Sequence, residues 1–336
     1  MNREQINYIK KNNSFNFPKI IQLEITDECP FNCPQCYKKS LSSRHADFEK
    51  LTNLIDFCYV NGTKLFVLNG GEPLLYNRFQ ELIQFLNKYQ VEVNIFTSGY
   101  GIDSNWIEFW KKHYTDNFNF FISLNGSTNK INSLSRQGYD VTMQAIELFK
   151  ENNLPYYINW VARKNNICDF PNMILLAEKF NSLGIEIIAE KLNGMNKLDS
   201  PLEKGDIMEL AKIINNYTGK LKLLVEKCFP LLLNFIDKTS YSLFDGCFAG
   251  RMMCMYTLDN EFAPCTHLHM SEKFDTIMDY WNNSEIIKLL RTKSKPSICK
   301  DCKYTRCNFC KAMSLESKND FSIGYKDCPL YEKVNA

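Results

Sequence analysis

From about residue 19 the chain alternates between short apolar runs rich in β-branched and aromatic residues and longer stretches with helical spacing. The runs are KIIQLEI (19–25), KLFVLN (64–69), VEVNIFT (91–97), NFFISL (119–124), YYINWV (156–161) and IEIIAE (185–190). Helix-like stretches occupy 47–61, 77–89, 103–113, 139–152 and 169–183. No other feature limits the fold as severely. Strands alternating with helices form βαβ units with right-handed crossovers, hence a parallel sheet. Several runs are almost continuously apolar, as expected for strands covered on both faces. Six such units suit an open sheet or an incomplete barrel, because closure takes eight.

After about residue 200 the rhythm changes. A helix-like segment (203–217) and an apolar stretch (221–236) lead into a cysteine-rich tail, with a boundary near 235–245. Between 245 and 330 periodicity is weak, so bound metal is expected to supply order that a small core does not. The chain has 14 cysteines, and eleven of them lie at 29–36 or 247–328. The N-terminus is polar without a signal-peptide core, and FPLLLNFI (229–236) is too short to span a bilayer. We therefore expect a cytoplasmic protein with no membrane partner. A net charge of +2 gives no reason to expect nucleic acid. In a reducing compartment clustered cysteines bind metal or do redox chemistry rather than form disulfides.

The segment ECPFNCPQCYKK (28–39) sets Cys29, Cys33 and Cys36 at C-x3-C-x2-C directly after the first strand. In parallel β/α folds ligands collect at the C-terminal strand ends. Three thiolates on a four-iron cluster leave one iron open, unlike the four-cysteine clusters of ferredoxins. A structural zinc site would want four ligands. With Tyr37 next, the pattern resembles the radical S-adenosylmethionine (AdoMet) superfamily, whose open iron binds AdoMet and whose chemistry runs through a 5′-deoxyadenosyl radical. NGGEPLL (69–75), TSG (97–99) and SLNG (123–126) end the second, third and fourth strands in the order that family uses. The resemblance implies a partial (β/α)6 TIM-type barrel over 19–200 and AdoMet contacts from Tyr37, Gly70, Gly71, Glu72, Ser98, Ser123, Asn125 and Arg136. Asp is commoner where Asn125 stands. The glycines would let the backbone approach a ligand, Glu72 would accept from the ammonium group, and Arg136 would pair with the AdoMet carboxylate.

The tail holds Cys247, Cys254, Cys265, Cys299, Cys302, Cys307, Cys310 and Cys328. Two C-x2-C pairs suggest zinc first, but the four residues between Cys302 and Cys307 are few for two knuckles around one ion. The layout resembles the SPASM extension of peptide-modifying radical AdoMet enzymes, with Asn260 where a turn glycine is usual and two gaps one residue short. By position, that resemblance implies two auxiliary 4Fe-4S clusters in a domain over 245–336. Cys247, Cys254, Cys265 and Cys310 would hold the first, and Cys299, Cys302, Cys307 and Cys328 the second. Residues 1–18 read as an extension and 201–244 as a helical bridge.

The resemblance extends to ribosomally made peptide maturases and to anaerobic sulfatase-maturating enzymes. It implies oxidation or crosslinking of a peptide, with the auxiliary clusters taking up an electron and a flavodoxin- or ferredoxin-type protein as reductant. Thr266 follows Cys265 where the sulfatase-maturating enzymes carry a catalytic Asp, which argues against a sulfatase substrate. The roughly 18 residues before the first strand are too few for a leader-binding domain, so a separate protein binds a leader or recognition is direct. Alternatives are a peptide epimerase using a Cys hydrogen donor and a dehydrogenase of a small alcohol or sugar. Candidates for proton or hydrogen handling are Cys168, Cys228, His267 and His269.

Overall fold

The computed structural model describes residues 3–38, 40–191, 202–237, 246–292, 296–304, 310–315, 321–322, 324–325 and 328–331. The six expected strands form as β1 (Ile20–Thr26), β2 (Leu65–Gly70), β3 (Glu92–Thr97), β4 (Phe118–Ser123), β5 (Tyr157–Ala162) and β6 (Gly184–Ala189). They pair side by side in chain order, all parallel. Helix α1 (Arg3–Asn12) precedes them, and α2 (Phe48–Val60), α3 (Phe79–Leu86), α4 (Ser104–His113), α5 (Asn129–Asn132), α6 (Tyr139–Glu151) and α7 (Phe170–Lys179) lie between or after them. Local sequence starts these helices: Asp47 accepts from the Lys50 N–H (2.9 Å) ahead of α2, and Asp103 from Trp106 (2.8 Å) ahead of α4.

Three further strands extend the sheet. β7 (Lys222–Val225) adds to β6 after α8 (Lys204–Asn216), so the bridge over 201–244 is not wholly helical. β8 (Met253–Tyr256) runs parallel beside β1, and β9 (Phe262–Ala263) turns back antiparallel. Asn260 shapes that turn with φ +57°, as its place in the sequence suggests. The sheet stays open, with order β7-β6-β5-β4-β3-β2-β1-β8-β9. The segment before β1 is fastened to the tail: Lys19 N–H donates to the Met252 carbonyl (2.8 Å) and Arg251 Nη2 to Asn13 Oδ1 (2.8 Å). Among the described residues no helix is long and apolar enough to cross a membrane.

Strand alternation sorts the side chains into two environments. Ile21, Leu23, Ile25, Phe66, Leu68, Val93, Ile95, Phe120, Ile158, Trp160, Ile185 and Ile187 are buried in one core with the helices. Each side chain of this size contributes about 1.5–3 kcal/mol when buried. The alternate residues face inward and form layers. Phe96 and Phe121 stack at 4.7 Å, and Phe121 and Tyr157 at 5.2 Å, giving an apolar layer. One step toward the C-terminal strand ends, Ser123, Asn159 and Glu186 lie in register across β4, β5 and β6. Above them Arg163 pairs with Glu190 at 3.0 Å.

Candidate active site

The three-cysteine loop leaves the C-terminal end of β1 and is stitched to the segment after β4. Gln35 N–H donates to the Ser135 carbonyl (3.3 Å) and Asn32 N–H to Gln137 Oε1 (2.9 Å). Each sulfur accepts a backbone N–H: Cys29 from Phe31, Cys33 from Gln137 (3.4 Å) and Cys36 from Lys38. Such donors stabilise thiolates on a cluster. Without metal, burial pushes the Cys29 thiol up to about 11, so binding iron releases protons. Behind the loop, Lys38 pairs with Glu24 (2.5 Å) and Asp27, and Arg44 with Asp27 (2.7 Å). Burial raises the Asp27 carboxyl pKa, yet Lys38 and Arg44 hold it below its usual value. Gly138, at φ +78°, receives the Phe31 ring where a side chain would stand.

The glycines of GGEP let two stretches of backbone meet. A Cβ on Gly70 would come within 2.5 Å of the Thr26 carbonyl, and one on Gly71 within 2.3 Å of the Glu28 carbonyl. They let β2 abut the backbone that leads into Cys29, with Gly71 N–H on Thr26 O and Glu72 N–H on Glu28 O, both at 2.7 Å. Tyr37 OH donates to the Gly70 carbonyl (2.9 Å). Glu72 is buried, and its carboxylate accepts from Thr97 OH (2.6 Å), Ser98 N–H (2.7 Å), Ser98 OH (2.5 Å) and Leu74 N–H (3.3 Å). Its acceptors are thus taken up within the protein, and it ties GGEP to TSG. Burial pushes its pKa up against those hydrogen bonds.

Asn125 is also engaged within the protein. Its Nδ2 donates to Gln35 Oε1 (2.6 Å) and Ser135 Oγ (2.8 Å), and its Oδ1 accepts from Val161 N–H (3.1 Å). An Asp lacks the two donors, which accounts for Asn at this position. Asn125 therefore joins the cysteine loop to β4 and β5. Arg136 differs: its Nε is buried without a hydrogen-bond partner, and its charge is felt at Cys29 and Cys36. Two more unpartnered buried atoms, Asn159 Oδ1 and Glu186 Oε2, belong to the inward polar layer. Burial pushes the Glu186 carboxyl up to about 8, helped by the nearby Glu226. An orphaned guanidinium nitrogen near Cys29 and Cys36 can take a carboxylate, so the residues present suit a cluster that binds an amino-acid ligand such as AdoMet. Asn159 and Glu186 escape the motif reading, although a Glu within IEIIA is a buried polar residue of the kind that marks a site.

In the tail, Cys247, Cys265 and Cys310 are buried together, with Cys228 packed against them. Cys254 is not among them. Its position in β8 is registered with Ile21, so it shares the outward face of the sheet and packs in the main core, near Cys58 of α2. Cys299 and Cys302 follow one turn, with Cys328 close to Cys302; Cys307 lies outside the described residues. Cys168 is exposed on the turn after β5. His267 packs edge-on against Tyr37 at 5.6 Å, and desolvation together with Lys191 pushes its pKa down to about 3. That leaves it a neutral ring and a weak base. His269 is exposed. Thr266 N–H donates to Gln22 Oε1 (3.1 Å) on the inward face of β1.

Comparison with known proteins agrees with this arrangement. Residues 23–177 match the family described as Radical SAM superfamily. An AdoMet-dependent heme synthase from Methanosarcina barkeri is 20% identical over 332 residues, covering 91% of this chain and 95% of that protein. A PqqA peptide cyclase from Granulibacter bethesdensis is 22% identical over 341 residues, covering 93% and 87%. The fold is similar to that of Streptococcus suis SuiB bound to S-adenosylmethionine, with a TM-score of 0.79 at 18% identity, covering 96% of this chain and 79% of that one. The same fold similarity holds for SuiB bound to its precursor peptide SuiA. The cysteine loop, the strand-end motifs and six of the parallel strands fall within or beside the segment 23–177, which matches the Radical SAM superfamily.

Proposed function

We propose that the chain is a peptide maturase that oxidises a ribosomally made peptide, removing two hydrogens to form a crosslink or an oxidised side chain. The observation that carries this reading is the inward polar layer, where Asn159 Oδ1 and Glu186 Oε2 stand buried without partners in a domain otherwise equipped for AdoMet. Cys29, Cys33 and Cys36 would hold the AdoMet cluster, Arg136 the AdoMet carboxylate, and Ser123 a polar group of the nucleoside. Cys299, Cys302, Cys307 and Cys328 would hold one auxiliary cluster and the buried thiols around Cys247 another. When bound, these groups supply a hydrogen-abstracting radical and an acceptor for the electron that the substrate gives up.

The protein's own contribution is to bind, orient and take a proton. Asn159 Oδ1 accepts a donor from the substrate, such as a peptide N–H. Glu186, raised to about 8, is a stronger base than an ordinary carboxylate, and its ionised form accepts the proton lost after hydrogen abstraction. The stacked Phe96, Phe121 and Tyr157 close the floor beneath and exclude water. The peptide cyclase among the relatives and the peptide-bound state of SuiB support a peptide substrate. A reductant of flavodoxin or ferredoxin type is the further expected partner, and the peptide is either brought by a separate leader-binding protein or recognised directly.

The test is anaerobic co-expression with each short peptide encoded beside the gene, read by mass spectrometry. Loss of two hydrogens is the expected result, and fragmentation separates a crosslink from a carbonyl. An unchanged mass with deuterium gained from heavy water refutes oxidation in favour of epimerisation. The heme synthase shows that relatives at similar identity do not all act on peptides. No peptide change, in protein that still cleaves AdoMet, would move the assignment to a small-molecule substrate.

A further inference from the structure

We propose that Cys228, in place of Cys254, completes a four-thiolate set with Cys247, Cys265 and Cys310, and that this set takes a four-iron four-sulfur cluster. The inference rests on the reading that the tail cysteines hold iron–sulfur clusters, and it changes which atoms hold the first.

The chain reaches Cys228 just after β7 and is pinned on either side of it. Glu226 accepts the Phe229 N–H (2.9 Å), while Phe229 and Leu232 are buried in the main core. The Cys228 thiol lies in hydrogen-bonding contact with both Cys247 and Cys310, and Cys265 is buried in the same group. Backbone donors already point at these sulfurs: Ala249 and Lys311 toward Cys247, His267 and Leu268 toward Cys265. That is the pattern seen around the three-cysteine loop. Lys191 donates to Glu226 (2.6 Å) and to the Ala189 carbonyl (2.9 Å), and it sets a positive charge near Cys228 and Cys310.

Cys254 has no route into this group. Its neighbours in β8 are registered too, Met253 with Ile20 and Met255 with Gln22. Bringing its thiol to the other face takes a one-residue slip, which would turn every β8 side chain over. The choice of a cluster over zinc follows from the reading of the tail as an iron–sulfur domain, on which this proposal rests. Cys228 stands 19 residues before Cys247, too far to be read as part of the tail's cysteine pattern.

The test uses full-length protein in which Cys29, Cys33 and Cys36 are replaced by Ala, leaving only the tail clusters. After anaerobic reconstitution, iron and sulfide are counted, electron paramagnetic resonance spectra are recorded and folding is followed by circular dichroism. Adding Cys254→Ala is expected to leave iron content and spectrum unchanged. Adding Cys228→Ala is expected to remove about four iron atoms per chain, or to leave a three-iron signal on oxidation. Cys228→Ser, which keeps an oxygen ligand and the side-chain volume, is expected to keep a cluster with a shifted spectrum. Iron loss in Cys254→Ala, with or without loss in Cys228→Ala, overturns the proposal, as does full iron with an unchanged spectrum in both Cys228 variants. If the triple-Ala parent itself binds no iron, the cluster reading fails and the ligand proposal falls with it.

Discussion

Glu186→Gln isolates the cost of burying a carboxyl group in the inward polar layer. The side chain has an ordinary pKa of 4.5, and the folded protein raises it to about 8, chiefly by desolvation. Between those values the folded chain holds a proton that the unfolded chain has lost. This group's contribution is therefore fully present below pH 4.5 and drains away as pH rises toward 8. Each pH unit of that interval removes about 1.4 kcal/mol, about 5 kcal/mol in all. Gln has nearly the same shape and does not titrate. Its stability relative to wild type should climb by about 3 kcal/mol between pH 6 and pH 8, then level off. An unfolding entropy of about 2.1 cal/mol/K per residue gives a 336-residue chain a shift of about 1.4 °C per kcal/mol. The midpoints should thus diverge by about 4 °C across those two pH units. Paired calorimetric scans under anaerobic conditions read this difference, in which the titration of every other group cancels. Curves that run parallel from pH 6 to pH 9 would show Glu186 already ionised and solvated in the folded protein, and would refute the raised pKa that makes it a strong base.

Arg136→Lys loses the orphaned Nε, and AdoMet affinity measured by equilibrium dialysis should fall roughly tenfold to a hundredfold; unchanged affinity would place the carboxylate elsewhere. Gly71→Ala drives a methyl into the Glu28 carbonyl and should cost about 3 kcal/mol. A lowered midpoint and poor iron retention at the three-cysteine loop are expected, and an undisturbed variant would refute the packing role. Asp27→Asn should destabilise by about 2 kcal/mol at pH 7, where it breaks a buried pairing with Lys38 and Arg44. Because the folded state lowers the Asp27 pKa, the gap should close as pH falls below about 4, and a gap that persists in acid counts against the ion pairs.

The six barrel strands were legible because period-two burial repeated over six runs leaves few other folds. β7, β8 and β9 were not, since strands of four, four and two residues carry no period to read. The strand-end motifs were legible as chemistry, but not as partnerships. Glu72 and Asn125 look like ligand contacts in a string of letters. Only the fold shows that Thr97 and Ser98 bond to Glu72, and Gln35, Ser135 and Val161 to Asn125. Cys254 misleads for a related reason: spacing along the chain says nothing of which sheet face a residue occupies, and its pairing with Ile21 decides that.

The pairing of β8 with β1 reaches beyond architecture. The strand that delivers the chain to Cys29 and the strand that leads toward Cys265 are laddered neighbours over four registered residue pairs, and Tyr37 meets His267 across the gap. Electron tunnelling falls off steeply with distance, so a hinge between two redox centres acts as a variable resistor. Here a hinge would have to break a parallel ladder. The sheet therefore fixes the spacing between the segment that leads to Cys29 and the one that leads to Cys265.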